Sequence, residues 1–291
     1  MPYRILKHLV SVFSVVQRQK GAKPLRSLYN QPLLPAAQRD LLDVVLVSPR
    51  NPLNIGAAAR ALANFGFERL SVVAPFLPTW REARSAVGAP DLLQNANETT
   101  TLAEAVAECS LVLGTGTLTY RKAEQQVVPL PALGPIFHQE LERGGRVALV
   151  FGPEKHGLTR EDLSWCNLLV EIPTDPRQPS MNLGQAVAVC LYELASRAFA
   201  AELGSSTSQG LPVSEMEPRS AALSGRLDLL AGVIEETMAA ADYSPRAMQA
   251  ANRHDLRLLL RRLAPSERDT RRILGLFRRI LWRLRRNSNP D

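Results

Sequence analysis

Asp43-Val44-Val45-Leu46-Val47-Ser48-Pro49 is the stretch from which the fold can be read. A short aliphatic run rich in β-branched residues and closed by Ser-Pro is the signature of a buried parallel strand entering a loop. In open sheets of such strands, chemistry often sits where the strands end. Directly after the loop, Ile55, Ala58, Ala59, Leu62 and Phe65 recur at the spacing of a helix that buries one face, with Gly66 placed to end it as a C-cap. The alternation continues down the chain. Residues 70–74 form the next strand, and a helix over 102–108 precedes a strand at 111–113. A helix around 137–143 precedes a strand at 147–151, residues 168–172 are a strand, and residues 183–200 are a long apolar-faced helix. This predicts an α/β fold with a mostly parallel sheet covered on both faces.

Past residue 200 the composition changes to Glu202-Leu203-Gly204-Ser205-Ser206-Thr207-Ser208-Gln209-Gly210, a flexible-linker composition. The predicted organisation is a basic extension over residues 1–40, an α/β domain over 41–200, a linker over 201–218 and a small helical basic domain over 219–291. Within the last, residues 223–240 and 245–263 read as helices, and Ser266-Glu267-Arg268-Asp269 is the box that starts a third over 266–285. That third helix is expected to put Ile273, Leu276, Phe277, Ile280, Leu281 and Leu284 on one face. Arg271, Arg272, Arg278, Arg279, Arg285 and Arg286 stand around it. A basic amphipathic helix of this kind suits RNA, a membrane surface, or no partner at all.

The net charge of +7 is concentrated at the two ends. Residues 1–40 hold seven Lys and Arg against one acid, residues 251–291 hold twelve against four, and the stretch between is net acidic. A near-neutral body with basic ends suits a polyanion held by flanking elements while chemistry happens on the body. The first acid of the chain is Asp40, and the apolar run from Ile5 to Val16 is interrupted by Lys7, His8, Ser11 and Ser14 and is too short to span a bilayer. An accessory extension and an organellar transit peptide both fit it; otherwise a cytoplasmic location is expected. Cys109, Cys166 and Cys190 are odd in number and far apart, which argues against a disulfide framework or a zinc site. His8, His138, His156 and His254 lack metal-ligand spacing, so no metal is expected.

Three segments carry chemistry. The first, Asn51-Pro52-Leu53-Asn54-Ile55-Gly56-Ala57-Ala58-Ala59-Arg60, joins the first strand to its helix; its small residues permit close approach, and Asn54 offers a donor and an acceptor at the helix entrance. Taken alone, it is equally a small-residue packing helix with an N-cap. The second, Val147-Ala148-Leu149-Val150-Phe151-Gly152-Pro153-Glu154-Lys155-His156-Gly157-Leu158, ends a strand in a loop with two glycines and a proline, from which Glu154 projects. The third runs from Val170-Glu171-Ile172-Pro173 through a polar loop to Ser180-Met181-Asn182-Leu183-Gly184-Gln185-Ala186 at the start of the long helix. Free N–H groups there favour anionic or polar ligands, although Ser180 is also an ordinary N-cap candidate.

Together and in this order, the three segments resemble the SpoU-type (SpoU/TrmH) methyltransferases of the SPOUT superfamily. That family's pattern joins an Asn-Ile-Gly…Arg motif, a Phe-Gly-x-Glu…Gly motif and an Ile-Pro…Ser-x-Asn motif. The resemblance covers residues 43–199. It implies a trefoil-knotted α/β domain, S-adenosylmethionine as cofactor, RNA 2′-O-ribose methylation as activity, and a homodimer formed through the knot helices. Knots are otherwise rare, and only the resemblance supports one here. Residue by residue, it implies a catalytic Arg60 with Asn54, Glu154, Ser180 and Asn182 as companions. It also implies cofactor contacts at Thr115, Gly116, Thr117, Gly152, Ile172, Pro179, Ser180 and Met181. Gly114-Thr115-Gly116 hints at a dinucleotide fingerprint, but Thr119 stands where the third glycine should be.

The layout of body plus helical tail looks most like the TrmJ-like branch. Leu258-Leu259-Leu260-Arg261-Arg262-Leu263, then Pro265, Glu267 and residues 273–280, carry the looser match in the tail. That branch implies a tRNA substrate methylated at anticodon-loop position 32, with no membrane partner. The acid-free first residues depart from its pattern. Two alternatives stay open: an rRNA-directed enzyme of the same family, and a catalytically inactive RNA-binding protein of the same fold. In the inactive protein the motifs would be expected to decay, whereas all five residues of the implied catalytic set are present.

Overall fold

The computed structural model describes residues 34–116, 124–204, 221–243 and 248–288. Residues 1–33 of the basic extension, residues 205–218 of the linker, residues 219–220 and 244–247 of the tail, and Thr117 lie outside the described residues. A single turn, α1 (Ala36–Arg39), leads into β1 (Leu42–Val47), whose six side chains are all buried as the aliphatic run predicts. Then follow α2 (Pro52–Phe65), β2 (Arg69–Val73), α3 (Pro90–Gln94), β3 (Asn97–Thr99), α4 (Leu102–Val106), β4 (Leu111–Thr115) and β5 (Gln126–Pro129). The domain closes with α5 (Gly134–Glu142), β6 (Val147–Phe151), α6 (Arg160–Leu163), β7 (Leu168–Glu171) and α7 (Leu183–Gly204). The tail forms α8 (Ser224–Ala240), α9 (Gln249–Leu263) and α10 (Glu267–Ser288).

All seven strands pair in parallel, in the order β3-β2-β1-β6-β4-β7-β5. The apolar strands β1, β6 and β4 occupy the centre. The sequence signal misses β3 and β5, and the reason is their place: both are edge strands, mostly solvent-facing and carrying polar residues, so no apolar run marks them.

The two-residue period of the strands divides their side chains between two layers. On one face Val45, Val47, Val112, Ala148 and Val150 join Leu102, Ala105 and Val106 of α4 and Trp165 and Cys166 beyond α6 in a single buried cluster. The alternate residues Val44, Leu46 and Leu149 are equally buried on the other face. Helices α2 and α7 pack together closely enough that a side chain at Gly184 would meet the Ala57 Cβ at 2.6 Å. Gly66 ends α2 as predicted, at φ 74. The three cysteines are free and buried, and burial pushes each thiol up to about 12, which leaves them inert at neutral pH.

The tail helices build a small core of their own from Leu230, Ala231, Ile234, Leu260 and Leu274. They are also fastened to the sheet domain. Ser224 N donates to Cys109 O at 2.8 Å and Gly225 N to Ala107 O at 3.0 Å. Arg257 pairs with Glu161 and lies 4.2 Å from the Trp165 ring centroid, with Arg261 at 5.2 Å. Burial lowers Arg261 to about 10, still protonated at neutral pH, and its Nη2 donates to Ser224 Oγ at 2.9 Å. In α10 the structure corrects the expected apolar face: Thr270, Leu274 and Leu281 are buried, whereas Leu276 and Ile280 are exposed. The helical period carries those two residues around towards solvent once Leu274 and Leu281 face the core. Among the described residues, no helix is long and apolar enough to cross a membrane.

Asp43 is a charged residue inside the central strand. Burial raises its carboxyl above the ordinary value despite Arg69 at 3.7 Å and Ser71 Oγ at 3.1 Å. A raised folded-state pKa contributes stability at low pH that is lost as pH rises through it. The wild type is therefore expected to gain stability relative to Asp43→Asn as pH falls from 7 towards 4, measured by urea denaturation. A wild type that instead loses ground on acidification would show that the Arg69 pairing outweighs burial.

Candidate active site

Because the strands are parallel, the loops after β1, β4, β6 and β7 all emerge at one edge of the sheet, and the sequence motifs meet there. The loop after β6 is folded tightly on itself. Gly157 N donates to Pro153 O at 2.8 Å, and a side chain at Gly152 would lie 2.2 Å from the backbone of Gly157 and Leu158. Only glycine fits at position 152, and the tight fold fixes where Glu154 points. The loop after β7 is closed by Thr174 Oγ1, which donates to Pro179 O at 3.2 Å.

Glu154 accepts three hydrogen bonds from the β1–α2 junction. Arg50 N donates to Oε2 at 3.2 Å, Asn51 N to Oε1 at 3.2 Å, and Asn54 Nδ2 to Oε1 at 2.8 Å. Partial burial pushes this carboxyl up, but the hydrogen bonds from Asn54, from its own backbone and from Arg50 and Asn51 outweigh burial and hold it below its ordinary value. It is a carboxylate at neutral pH. Since a carboxylate only accepts, the Asn54 amide must turn its NH2 towards Glu154 and its oxygen away. That oxygen accepts from Asn182 Nδ2 at 3.0 Å. Asn182 Oδ1 in turn accepts from Gly184 N at 3.0 Å and Gln185 N at 3.4 Å, the free N–H groups at the start of α7. The relay has a fixed direction, from helix N-terminus to carboxylate, and it joins all three motifs.

Asn182, not Ser180, is therefore the cap of α7, and the helix begins at Leu183. Ser180 is exposed and makes no hydrogen bond among the described residues. Arg60 stands apart from the relay: six residues on from Asn54, it lies about 120° around α2. Its guanidinium is exposed and has no hydrogen bond or ion pair among the described residues.

Beside the relay is a cavity of about 580 Å³. Of the residues implied as cofactor contacts, Thr115, Gly116, Gly152, Ile172, Pro179, Ser180 and Met181 all line it, together with Glu154; Thr117 lies outside the described residues. Phe151, Glu171, Thr174 and Leu183 line it as well; the first, second and fourth lie within the three quoted segments but were not named as cavity contacts. Nor were the Arg50 and Asn51 amides, because a backbone donor leaves no mark on residue type. Away from the cavity, Glu124, His254 and Asp255 bring metal-type donors within 4.8 Å of one another. Arg160 Nη2 pairs with Glu124 Oε1 at 3.0 Å, and His254 Nε2 lies 3.5 Å from Glu124 Oε2.

The sequence profile described as the SpoU rRNA Methylase family matches residues 41–192. A Pseudomonas aeruginosa protein, tRNA (cytidine/uridine/adenosine-2'-O-)-methyltransferase TrmJ, is 42% identical over 169 residues, covering 56% of this chain and 63% of the relative. A Klebsiella pneumoniae tRNA (cytidine/uridine-2'-O-)-methyltransferase TrmJ is 32% identical over 242 residues, 81% of this chain and 95% of the relative. The chain thus spans less than two thirds of the first relative and nearly all of the second. Among solved structures, TrmJ from Z. mobilis ZM4 superimposes with a TM-score of 0.69 at 28% identity, over 82% of this chain and 98% of that one.

Asn182 serves two neighbours at once, and substitutions separate the roles. Asn182→Ala removes the cap and is expected to cost about 1 kcal/mol of stability. Asn182→Asp keeps an acceptor at the helix start and should unfold in urea close to the wild type, although it can no longer donate to Asn54. Equal loss in both variants would mean that the cap is not what Asn182 contributes to stability.

Proposed function

The chain belongs to the SpoU methylase family, and on that premise we propose that it transfers a methyl group from S-adenosylmethionine to the 2′-hydroxyl of a ribose in tRNA. The observation that carries the proposal is the relay from α7 through Asn182 and Asn54 to Glu154, set at the rim of a cavity lined by the implied cofactor residues. The cavity suits an adenosyl cofactor. Its volume is in the range of small-molecule sites, and a side chain at Gly116 would meet no atom of the described residues within 4 Å. Thr115, Gly116, Gly152, Ile172, Pro179, Ser180 and Met181 would hold it. When bound, the cofactor supplies a sulfonium-activated methyl group.

The chain's own residues divide the remaining work. Arg60 cannot serve as base, because a guanidinium keeps its proton far above neutral pH. It stabilises the developing oxyanion and anchors a substrate phosphate. Glu154 is a poor base for a different reason: its oxygens already accept three N–H bonds, and these hold its pKa down. It positions Asn54 and the loop around it, and Asn182 and Ser180 orient the ribose and the cavity loop, so that positioning is the main contribution of this group. The hydroxyl proton passes to a phosphate oxygen of the substrate.

The proposal extends to cytidine or uridine at anticodon-loop position 32, on the strength of the TrmJ-like layout, and to a cytoplasmic location. It also includes a knotted, homodimeric methyltransferase domain over 41–200 followed by a linker and a helical domain over 219–291. Val189 and Tyr192, exposed on α7, support a partner copy on that helix.

Methyl transfer from labelled S-adenosylmethionine into bulk tRNA and rRNA, followed by nuclease mapping, tests the proposal. Label is expected in tRNA at an anticodon-loop ribose, to be lost in Arg60→Ala, and to fall by two orders of magnitude or so in Asn182→Asp as positioning is lost. Label confined to rRNA would retain the chemistry and discard the substrate. Cofactor and RNA binding without transfer would leave an inactive binding protein, and near-normal turnover by Arg60→Lys would remove the need for a planar guanidinium.

A further inference from the structure

We infer that the outer face of α10 is an RNA-binding surface separate from the cavity, with Arg268, Arg272, Arg279, Arg283 and Arg286 contacting a phosphate backbone and Trp282 stacking on a base. The inference rests on RNA being the substrate, as proposed above.

Helical geometry puts these five arginines on one ridge. From Arg268 to Arg286 they fall within about 60° of one another around the axis and extend over about 27 Å. They lie opposite Thr270, Leu274 and Leu281, which face the tail core, so the ridge faces solvent. Two arginines beside the ridge have acidic partners: Arg271 meets Glu267 at 3.2 Å and Arg285 meets Glu236 at 2.7 Å. The five on the ridge have none among the described residues. A row of cations without counter-charges is what a polyanion completes, releasing its own counterions as it binds.

Trp282 adds a feature that charge alone does not supply. It is 46% exposed, and the guanidinium groups of Arg279 and Arg286 lie 4.6 and 5.5 Å from its ring centroid. An exposed tryptophan with two guanidinium groups over its ring brings together the aromatic surface and the cations that hold single-stranded and looped nucleotides, the base displacing an arginine to stack on the ring and the phosphate pairing with the cation.

A membrane surface is the competing partner for a basic amphipathic helix, and the tertiary packing argues against it. An interfacial helix needs a continuous apolar face free to enter lipid. In α10 the apolar stripe is already used: Leu274 belongs to the tail core, with Ile273 and Phe277 packed against it. The apolar residues left outside, Leu276 and Ile280 on one flank and Trp282 on the other, are separated by the arginine ridge and form no single face.

The test uses the full chain. Binding of a tRNA transcript is measured against salt concentration, alongside binding to phosphatidylcholine vesicles containing phosphatidylserine and steady-state methyl transfer. The variants are Arg272→Gln/Arg279→Gln/Arg283→Gln and Trp282→Ala, with helical content checked by circular dichroism. The triple variant is expected to flatten the dependence of log affinity on log salt by about 2 and to raise KM for tRNA about tenfold. Trp282→Ala should weaken tRNA binding about tenfold with little change in that slope. A triple variant with wild-type slope and KM overturns the inference, as does loss of vesicle binding with tRNA binding intact. The activity reading fails separately, if the wild type labels no RNA; the salt slope would still report on the ridge.

Discussion

Everything in the cavity region depends on one directional chain of hydrogen bonds, from the free N–H groups of α7 through Asn182 and Asn54 to the Glu154 carboxylate. Its two ends are fixed by elementary properties: a helix N-terminus has donors to satisfy, and a carboxylate can only accept. Between them each asparagine has one allowed orientation. Reversing either amide would set an NH2 against donors or an oxygen against a carboxylate, so the relay fixes the three loops in one register beside the close packing of α2 on α7.

The parallel sheet makes that relay possible. Strands β1 and β6 are neighbours, and β7 is reached through β4, so the loops that follow them leave the same edge. A fully buried strand centre secures the sheet, while the chemistry is left to loops whose conformation is fixed by glycine at close approaches, as at Gly152. The division follows a general economy of such folds, in which rigidity comes from the layers and function from the loops above them.

The tail obeys a different balance. Its helices share a core too small to stand for much on its own, and they gain support from the sheet domain through Arg257 and Arg261 against Trp165 and through backbone bonds to Ala107 and Cys109. Consuming one face of α10 in that core leaves the opposite, arginine-lined face as the outer surface.

By itself the sequence determined the order and type of the main elements, because buried strands and one-sided helices leave apolar periods that can be counted. Through the family resemblance of its three motifs it also pointed to Thr115, Gly116, Gly152, Ile172, Pro179, Ser180 and Met181, which line the cavity, but not to Glu171 or Thr174 beside them. Edge strands β3 and β5 left no such period, and Ser180 was as good a cap candidate as Asn182 by residue type alone. Only the tertiary structure decided which oxygen faces which amide and that Arg60 stands clear of the relay. It alone brought Glu124 to His254 and turned Leu276 and Ile280 of α10 towards solvent. Those facts depend on contacts between segments up to about 130 residues apart and on backbone donors common to almost every residue, and neither leaves a local trace in the chain.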